Sequence, residues 1–558
     1  MSASVDRFFE HYYRRRPVNA TFTGVHEYDE HLPDWSVAGM SAMNAEMRAI
    51  ARDLSIQHPT PTSVRGYIDD VNVLDAELAR GFLEIQLAEN AGSHGVRGNP
   101  ALWTGEALFA IISLMIRDFA PMNERILSAT RRLEAIPGFL AGAYETVGDA
   151  SIPLAWTAKA LRECDGGAIL LERGIDRWID SATSVPARDA RCRIAAARAK
   201  VAVLQFAEWL RTRPVAPESA MTCGPELYDL LLTRGHHCVR SRDDLLADVH
   251  DAFRRERSRL DVMALEVSES WRAVQQTLAA DHPAPSKYLD AFARTWTACH
   301  ARATSDDVVT WPDWPIRYTY FPGWTRDTAP YLYYLNYRSP APFDPYTEYD
   351  YVVPPLPPIE STDAVEQHLR AWNHSVIKLN HVVHHGGVGH HVQNWHAYHR
   401  APSHVGQIAA VDCASRIGMF CGGTMAEGWA CYATGMLEER GFLSPFERVA
   451  EQHSRVRFLA RAIVDIELHQ RSMSFSDAVQ FYAERVGMPA DAAKGEAVKN
   501  SMFPCTAIMY WLGTQGILDL RETLRARRGA GWSLKAFHDE LLGHGSIPVA
   551  LAARLMSV

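Results

Sequence analysis

No apolar run in this 558-residue chain approaches the roughly 20 residues that a membrane-spanning helix needs, so no such helix is expected. An excess of positive charge is also missing. Lys and Arg number 57 against 66 Asp and Glu, a formal net charge of −9, which argues against holding nucleic acid or an anionic membrane by electrostatics. There is no C-x-x-C pair, and the nine cysteines are an odd number scattered from 164 to 505. They read as reduced, buried small side chains rather than a disulfide framework. No internal repeat or low-complexity tract occurs, which sets aside solenoids and fibres. The opening MSASVDRFFEHYYRRRP alternates charge with aromatics and lacks a signal-peptide core. The expectation is a soluble cytoplasmic protein with neither nucleic acid nor membrane as partner, and with no oligomeric state singled out.

What is present is ordinary globular material, 47% hydrophobic and 22% charged, too long for a single core of about 250–300 residues. From Val5 to about Ala301 apolar residues recur at three- and four-residue steps, as in DDLLADVHDAFRRERSRLDVMALEV (243–267), the pattern of amphipathic helices. Turn signals interrupt it at LPDWS (32–36), RGNP (97–100), IPG (136–138) and RPVAPES (213–219). Between about 308 and 359 the chain turns rich in Tyr, Val and Pro. YLYYLNY and YDYVV there read as short strands beside extended proline-rich loops. A Thr362/Asp363 cap with Glu366 behind it predicts a helix to Asn380. The fold class is thus mainly α, divided as an N-terminal helical lobe (1–305), a strand-rich insert (306–360) and a C-terminal helical lobe (361–558). His236 and His237 read as loop residues.

The most informative stretch runs from His374 to His404. It holds nine of the 24 histidines in 31 residues, where even scattering would put one or two. Imidazole is a common ligand of zinc and related metals. Downstream, GTMAEGWACYA (423–433) is an apolar-periodic helix carrying a single acid, Glu427. A carboxylate isolated on an apolar face needs a partner, because burying it unpaired is very costly. A metal held by the preceding histidines would be one.

VVHHGGVGHHVQ (382–393) and EGWACYA (427–433) together resemble the bacterial family catalogued as domain of unknown function 885. Its signature is H-E-x-x-P-G-H-H-L-Q followed by an E-G-W-A-x-Y-A helix. PVNATFTGVHEYDEHLPD (17–34) and AVKNSMFPCTAIMYWLGTQGILDLRE (497–522) are similar to its terminal segments. The resemblance implies a two-lobed, helical, zinc-metallopeptidase-like fold whose third ligand is a glutamate on a downstream helix. By position it assigns the metal, Zn2+ or another divalent transition metal, to His384, His390 and Glu427. His384 and His390 are six apart rather than the four of one helical turn, so the helix has to be bulged or broken at Gly386, Gly387 and Gly389. His391 is the alternative ligand if the helix is regular. Tyr510 matches the family's late tyrosine and would donate to a developing oxyanion.

One departure outweighs these matches. The family's glutamate after the first histidine, the proton carrier of zinc peptidases, is His385 here. Val388, Thr506 and Lys499-Asn500 also replace the family's Pro, late Gln and Arg-Tyr. Three readings follow: His385 is itself the base, with His391 as a second proton shuttle; His385 joins His381 in a different metal sphere; or the groove only binds. The first gives a metal-dependent hydrolase of an amide or peptide-like bond in a small or short peptide-like substrate. The others give a lyase, isomerase or oxidase on a small metabolite, or a metal-stabilised binding protein. The tyrosines between 331 and 351 read as sheet packing, with lining of the groove as the alternative.

Overall fold

Helices form where apolar residues recur every three or four positions, and the chain is mainly helical. The computed structural model describes residues 2–332, 337–338 (backbone only), 341–345, 349–358, 360–411 and 415–557. The chain falls into two units that interleave in sequence. One comprises Met1–Thr60, Ala79–Cys223 and Phe321–Thr347, the other Pro61–Leu78, Gly224–Tyr320 and Glu348–Val558. These differ from the linear segments 1–305, 306–360 and 361–558, because periodicity reports which residues are helical and not which helices become neighbours.

In the first unit the Pro100–Met115 helix is apolar on nearly every face and buried accordingly. It packs against Met122–Val147 and Leu154–Ile169. Met122–Val147 runs straight through Pro137, where IPG had predicted an interruption. Leu133, Ile136 and Leu140 form one buried stripe there, and their burial offsets the roughly 3 kcal/mol penalty of a mid-helix proline. Part of the RPVAPES turn is a short strand, Val215–Ala216, paired in parallel with Ile152–Pro153. Arg132, fully buried, explains the 17–34 motif. Its guanidinium donates to the carbonyls of Pro17 (3.1 Å), Tyr28 (3.3 Å) and His31 (3.1 Å) and to Thr21 Oγ1 (2.8 Å). That motif is architectural.

In the second unit Arg242–Leu265 packs along Pro445–His469, and Gly423–Glu439 along Met509–Arg528. The latter two helices meet at glycines. A Cβ on Gly513 would lie 1.9 Å from the Thr424 carbonyl oxygen and 2.7 Å from Gly428 Cα. Asp465 accepts the backbone N–H groups of Cys505 (3.0 Å), Ala507 (3.1 Å) and Ile508 (3.0 Å), which fixes the turn leading into Met509–Arg528. YDYVV is a strand, Tyr349–Val353, paired in parallel with Ile316–Tyr320. Tyr349 and Tyr351 are buried in it, and Pro354, Pro355, Pro357 and Pro358 follow just outside. Of YLYYLNY, Tyr331 and Leu332 lie in a turn and Tyr337 opens a two-residue strand. Tyr333, Tyr334, Leu335 and Asn336 lie outside the described residues, as do Tyr346 and Cys413.

Two other expectations are corrected in this unit. The helix predicted to run to Asn380 stops at Ala371. Asn373 then caps a new start, its Oδ1 accepting the Val376 N–H at 3.0 Å. Glu366, read as a capping partner, pairs with Arg370 at 2.8 Å instead. His236 lies in the loop just past the Leu231–Gly235 π-helix, as expected, but it is buried there and hydrogen-bonds the Cys505 carbonyl at 2.6 Å. Cys164, Cys192, Cys238, Cys299, Cys421 and Cys431 are free thiols. No described helix is long and apolar enough to cross a membrane.

Candidate metal centre

The histidines are presented by an irregular backbone. Ile377–Gly386 is π-helical, and this i→i+5 register sets the Asn380 carbonyl beneath His385, whose Nδ1–H donates to it at 2.7 Å. The bond fixes the tautomer and leaves Nε2 with the lone pair. The chain breaks at Gly387–Gly389 and restarts as His390–Arg400, as the six-residue spacing required. Only glycine fits the break. A Cβ on Gly389 would sit 1.9 Å from the His384 carbonyl oxygen, and one on Gly387 2.8 Å from that of Val382. Two indoles pin it: Trp296 donates to the Gly386 carbonyl (2.8 Å), and Trp429 to those of Val388 (2.9 Å) and Gly389 (3.2 Å). His384, His385 and His390 each offer a ring nitrogen within 4.8 Å of the other two.

Glu427 enters from the Gly423–Glu439 helix. Its Oε2 lies 3.4 Å from His384 Nε2 and 3.8 Å from His390 Nε2, and its side chain is 10% exposed. That oxygen is buried and accepts no hydrogen bond. Burial pushes the Glu427 carboxyl up, but the facing His384, His390 and His385 reverse this and hold it well below the usual carboxylate range. Burial lowers His390 to about 4 despite Glu427. Burial, reinforced by His384, His390 and His381, lowers His385 well below its ordinary value. A buried carboxylate oxygen with no hydrogen bond among the described residues, facing the His384 and His390 ring nitrogens, is a donor set that fits a divalent transition metal.

Not every expected residue joins this cluster. His391 is wholly buried, with Nε2 donating to the Trp314 carbonyl at 2.8 Å and its ring edge-on to Tyr349. The structure does not bring it to the other three. The regular helix that would have made it a ligand does not exist, because the break at Gly387–Gly389 turns His390 inward instead. His381 bonds Tyr351 Oη at 2.7 Å and stacks on Trp372. Tyr510 stacks on Phe458, centroids 4.9 Å apart. Both line a cavity of about 730 Å³ that also reaches Cys431, one turn along the helix from Glu427. Sequence reasoning missed this cavity and the charged residues of the Pro445–His469 helix beside it. Among them, Glu451 is raised to about 7 by burial, which Arg455 opposes and Glu438 assists. The available signal was RVRFLAR (455–461), three arginines at two- and four-residue steps among apolar residues.

The fold recurs in solved structures. A protein from Shewanella oneidensis, described as a putative lipoprotein of unknown function, superposes with a TM-score of 0.77 at 19% identity, covering 100% of this chain and 99% of that one. A putative lipoprotein from Colwellia psychrerythraea gives 0.76 at 16% identity, covering 99% and 98%. At such identities the likeness shows the fold alone. No curated protein matches the chain. The family model described as bacterial protein of unknown function (DUF885) matches residues 17–556, spanning all four motifs, and the chain belongs to that family.

Proposed function

We propose that this protein is a metal-dependent, zinc-loaded hydrolase of an amide or peptide-like bond in a small or short peptide-like substrate. The observation that carries the reading is Glu427 Oε2, buried without a hydrogen bond between the His384 and His390 ring nitrogens. These three residues would hold the ion. Zinc bound there supplies Lewis acidity toward a carbonyl oxygen and makes water a better acid. The chain's own groups do the rest. His385, its tautomer set by Asn380, presents a neutral Nε2 that takes a proton from the attacking water and returns it to the leaving nitrogen. Burial and the neighbouring imidazoles weaken this imidazole as a base, so turnover is slow. Tyr510, on the cavity wall, donates to the developing oxyanion.

A second reading is favoured by one observation: the ring nitrogens of His384, His385 and His390 all lie within 4.8 Å of one another. A three-histidine sphere suits iron, copper or manganese and a lyase, isomerase or oxidase reaction. Elemental analysis of wild type and Glu427→Ala separates the two. About one zinc per chain, lost in the variant, with amide hydrolysis abolished by a chelator and restored by zinc, supports the hydrolase. One equivalent of iron, copper or manganese selects the second reading. No bound metal after zinc is supplied leaves a binding protein. The free thiols of Cys164, Cys192, Cys238, Cys299, Cys421 and Cys431 support the cytoplasm as compartment, whereas the lipoprotein descriptions of the two similar structures point to the cell envelope. Recovery in the membrane fraction would reassign it.

A further inference from the structure

The Pro445–His469 helix carries Arg455, which lines the cavity, and Arg457 and Arg461 just beyond it, and two of the three are neutralised. Arg461 forms a two-pronged pair with Glu496, its Nε donating at 2.7 Å. Arg455 pairs with Glu438 at 2.6 Å and with Glu451 at 3.4 Å. Arg457 has no hydrogen bond or salt bridge among the described residues, and its Nε is buried without a partner. Its guanidinium lies 5.5 Å from the Phe458 ring centroid, and Phe458 stacks in turn on Tyr510. The groups acting on it electrostatically are Arg461, Glu496, Tyr510 and Cys431. Of these, Glu496 is already occupied by Arg461.

A guanidinium in such a place is costly without an anion. A ring contact is a weak partner, weaker than the bidentate carboxylate that suits a desolvated arginine. Two residues of the cavity wall interact electrostatically with the candidate centre, Cys431 with Glu427 and Glu451 with His384. Phe458, Tyr510 and Cys431 line the same cavity, and Cys431 follows Glu427 by one helical turn, about 6 Å along the axis. An extended substrate advances roughly 3.5 Å per residue, so one or two residues span that turn from Glu427 to Cys431, the cavity residue that interacts electrostatically with Arg457.

Resting on the hydrolase reading above, we infer that Arg457 anchors a substrate carboxylate, so that the bond cleaved lies one or two residues from a free carboxyl group. The substrate class is N-acylated amino acids and the carboxyl ends of short peptides. The fork geometry selects a planar carboxylate over a neutral amide of the same shape.

The test uses N-benzoylglycine and N-benzoylglycinamide, which differ only at that group, titrated calorimetrically into the purified full-length chain before and after chelation. Wild type is expected to bind the acid at least tenfold more tightly than the amide. Arg457→Met is expected to erase the difference, and Arg457→Lys, which keeps the charge without the fork, to retain part of it. In the zinc-loaded enzyme Arg457→Lys is expected to raise KM for N-benzoylglycine about tenfold with kcat little changed. Equal binding of acid and amide by wild type, no binding of either at millimolar concentration, or a preference that survives in Arg457→Met overturns the inference. If Arg457→Met does not fold, full retention of the preference in Arg457→Lys has the same effect. Selective binding without any hydrolysis would instead overturn the hydrolase reading and leave the carboxylate anchor standing.

Discussion

A single acid on an apolar helix face must find something positive or polarising to look at, and for Glu427 that is a pair of imidazoles at 3.4 and 3.8 Å. This much was legible in the residues, because the cost of an isolated buried charge follows from composition alone. The choice of His390 over His391 was legible as a spacing problem, and the structure shows a broken helix with His391 turned to Trp314. The lone cation Arg457 was not legible, since a sequence does not say which of three neighbouring arginines will meet an acid. His385 is where residue chemistry makes its sharpest prediction. Replacing it by glutamate restores a carboxylate beside the centre, and general acid–base catalysis is worth about 10²–10⁴-fold. His385→Glu is therefore expected to raise amide hydrolysis by about 10²-fold or more, measured as kcat/KM on N-benzoylglycine with zinc present. An unchanged or lower rate would mean that His385 is held by the ion rather than free to carry protons.

Among elements, the informative departures are places where packing overrides local pattern. Pro137 sits inside a 26-residue helix because the residues on either side are buried. The expected helix to Asn380 splits because Asn373 offers the next turn a better cap than continuation does. The π-helical register of Ile377–Gly386 leaves no periodic trace in a segment this short. The contact between Gly423–Glu439 and Met509–Arg528 carries a prediction here. Gly513→Ala puts a methyl 1.9 Å from the Thr424 carbonyl oxygen and has to push apart the helix that delivers Glu427. Thermal unfolding is expected to show a loss at the upper end of the roughly 1–3 kcal/mol typical of overpacking, together with weaker zinc binding. Gly495→Ala, also in a helix interior but with nothing within 4 Å of the new Cβ, is expected to be neutral or stabilising. Equal effects at the two positions would remove the close helix contact as the cause.

For the molecule as a whole, fold class was readable and chain partition was not. Two proteins only 16–19% identical share the fold over nearly their full lengths, as expected when binary patterning fixes architecture and leaves most identities free. Acid sensitivity is a property of the same scale. Burial lowers His11, His236, His391, His396 and His453 to about 4. Between that value and 6.5 the unfolded chain binds more protons than the folded one, so their contribution is complete above pH 6.5 and is lost as pH falls through the window. Glu106, Glu451 and Asp465, raised to about 7 by burial, act oppositely, favouring the fold at the low end of the interval from about 4 to 7. The imidazoles outnumber them, so Tm is expected to fall as pH is lowered from 6.5 to 4.5; a flat or rising Tm would show that the carboxyls prevail. Finally, the indole of Trp429 ties the glycine break, and with it His390, to the helix that bears Glu427. Carboxylate and imidazole cannot drift apart without breaking that tether, so the fold itself holds the two side chains together. On the metal reading proposed above, adding zinc is expected to leave the far-ultraviolet circular dichroism unchanged, unlike the small metal-dependent domains that acquire their shape only when the ion binds.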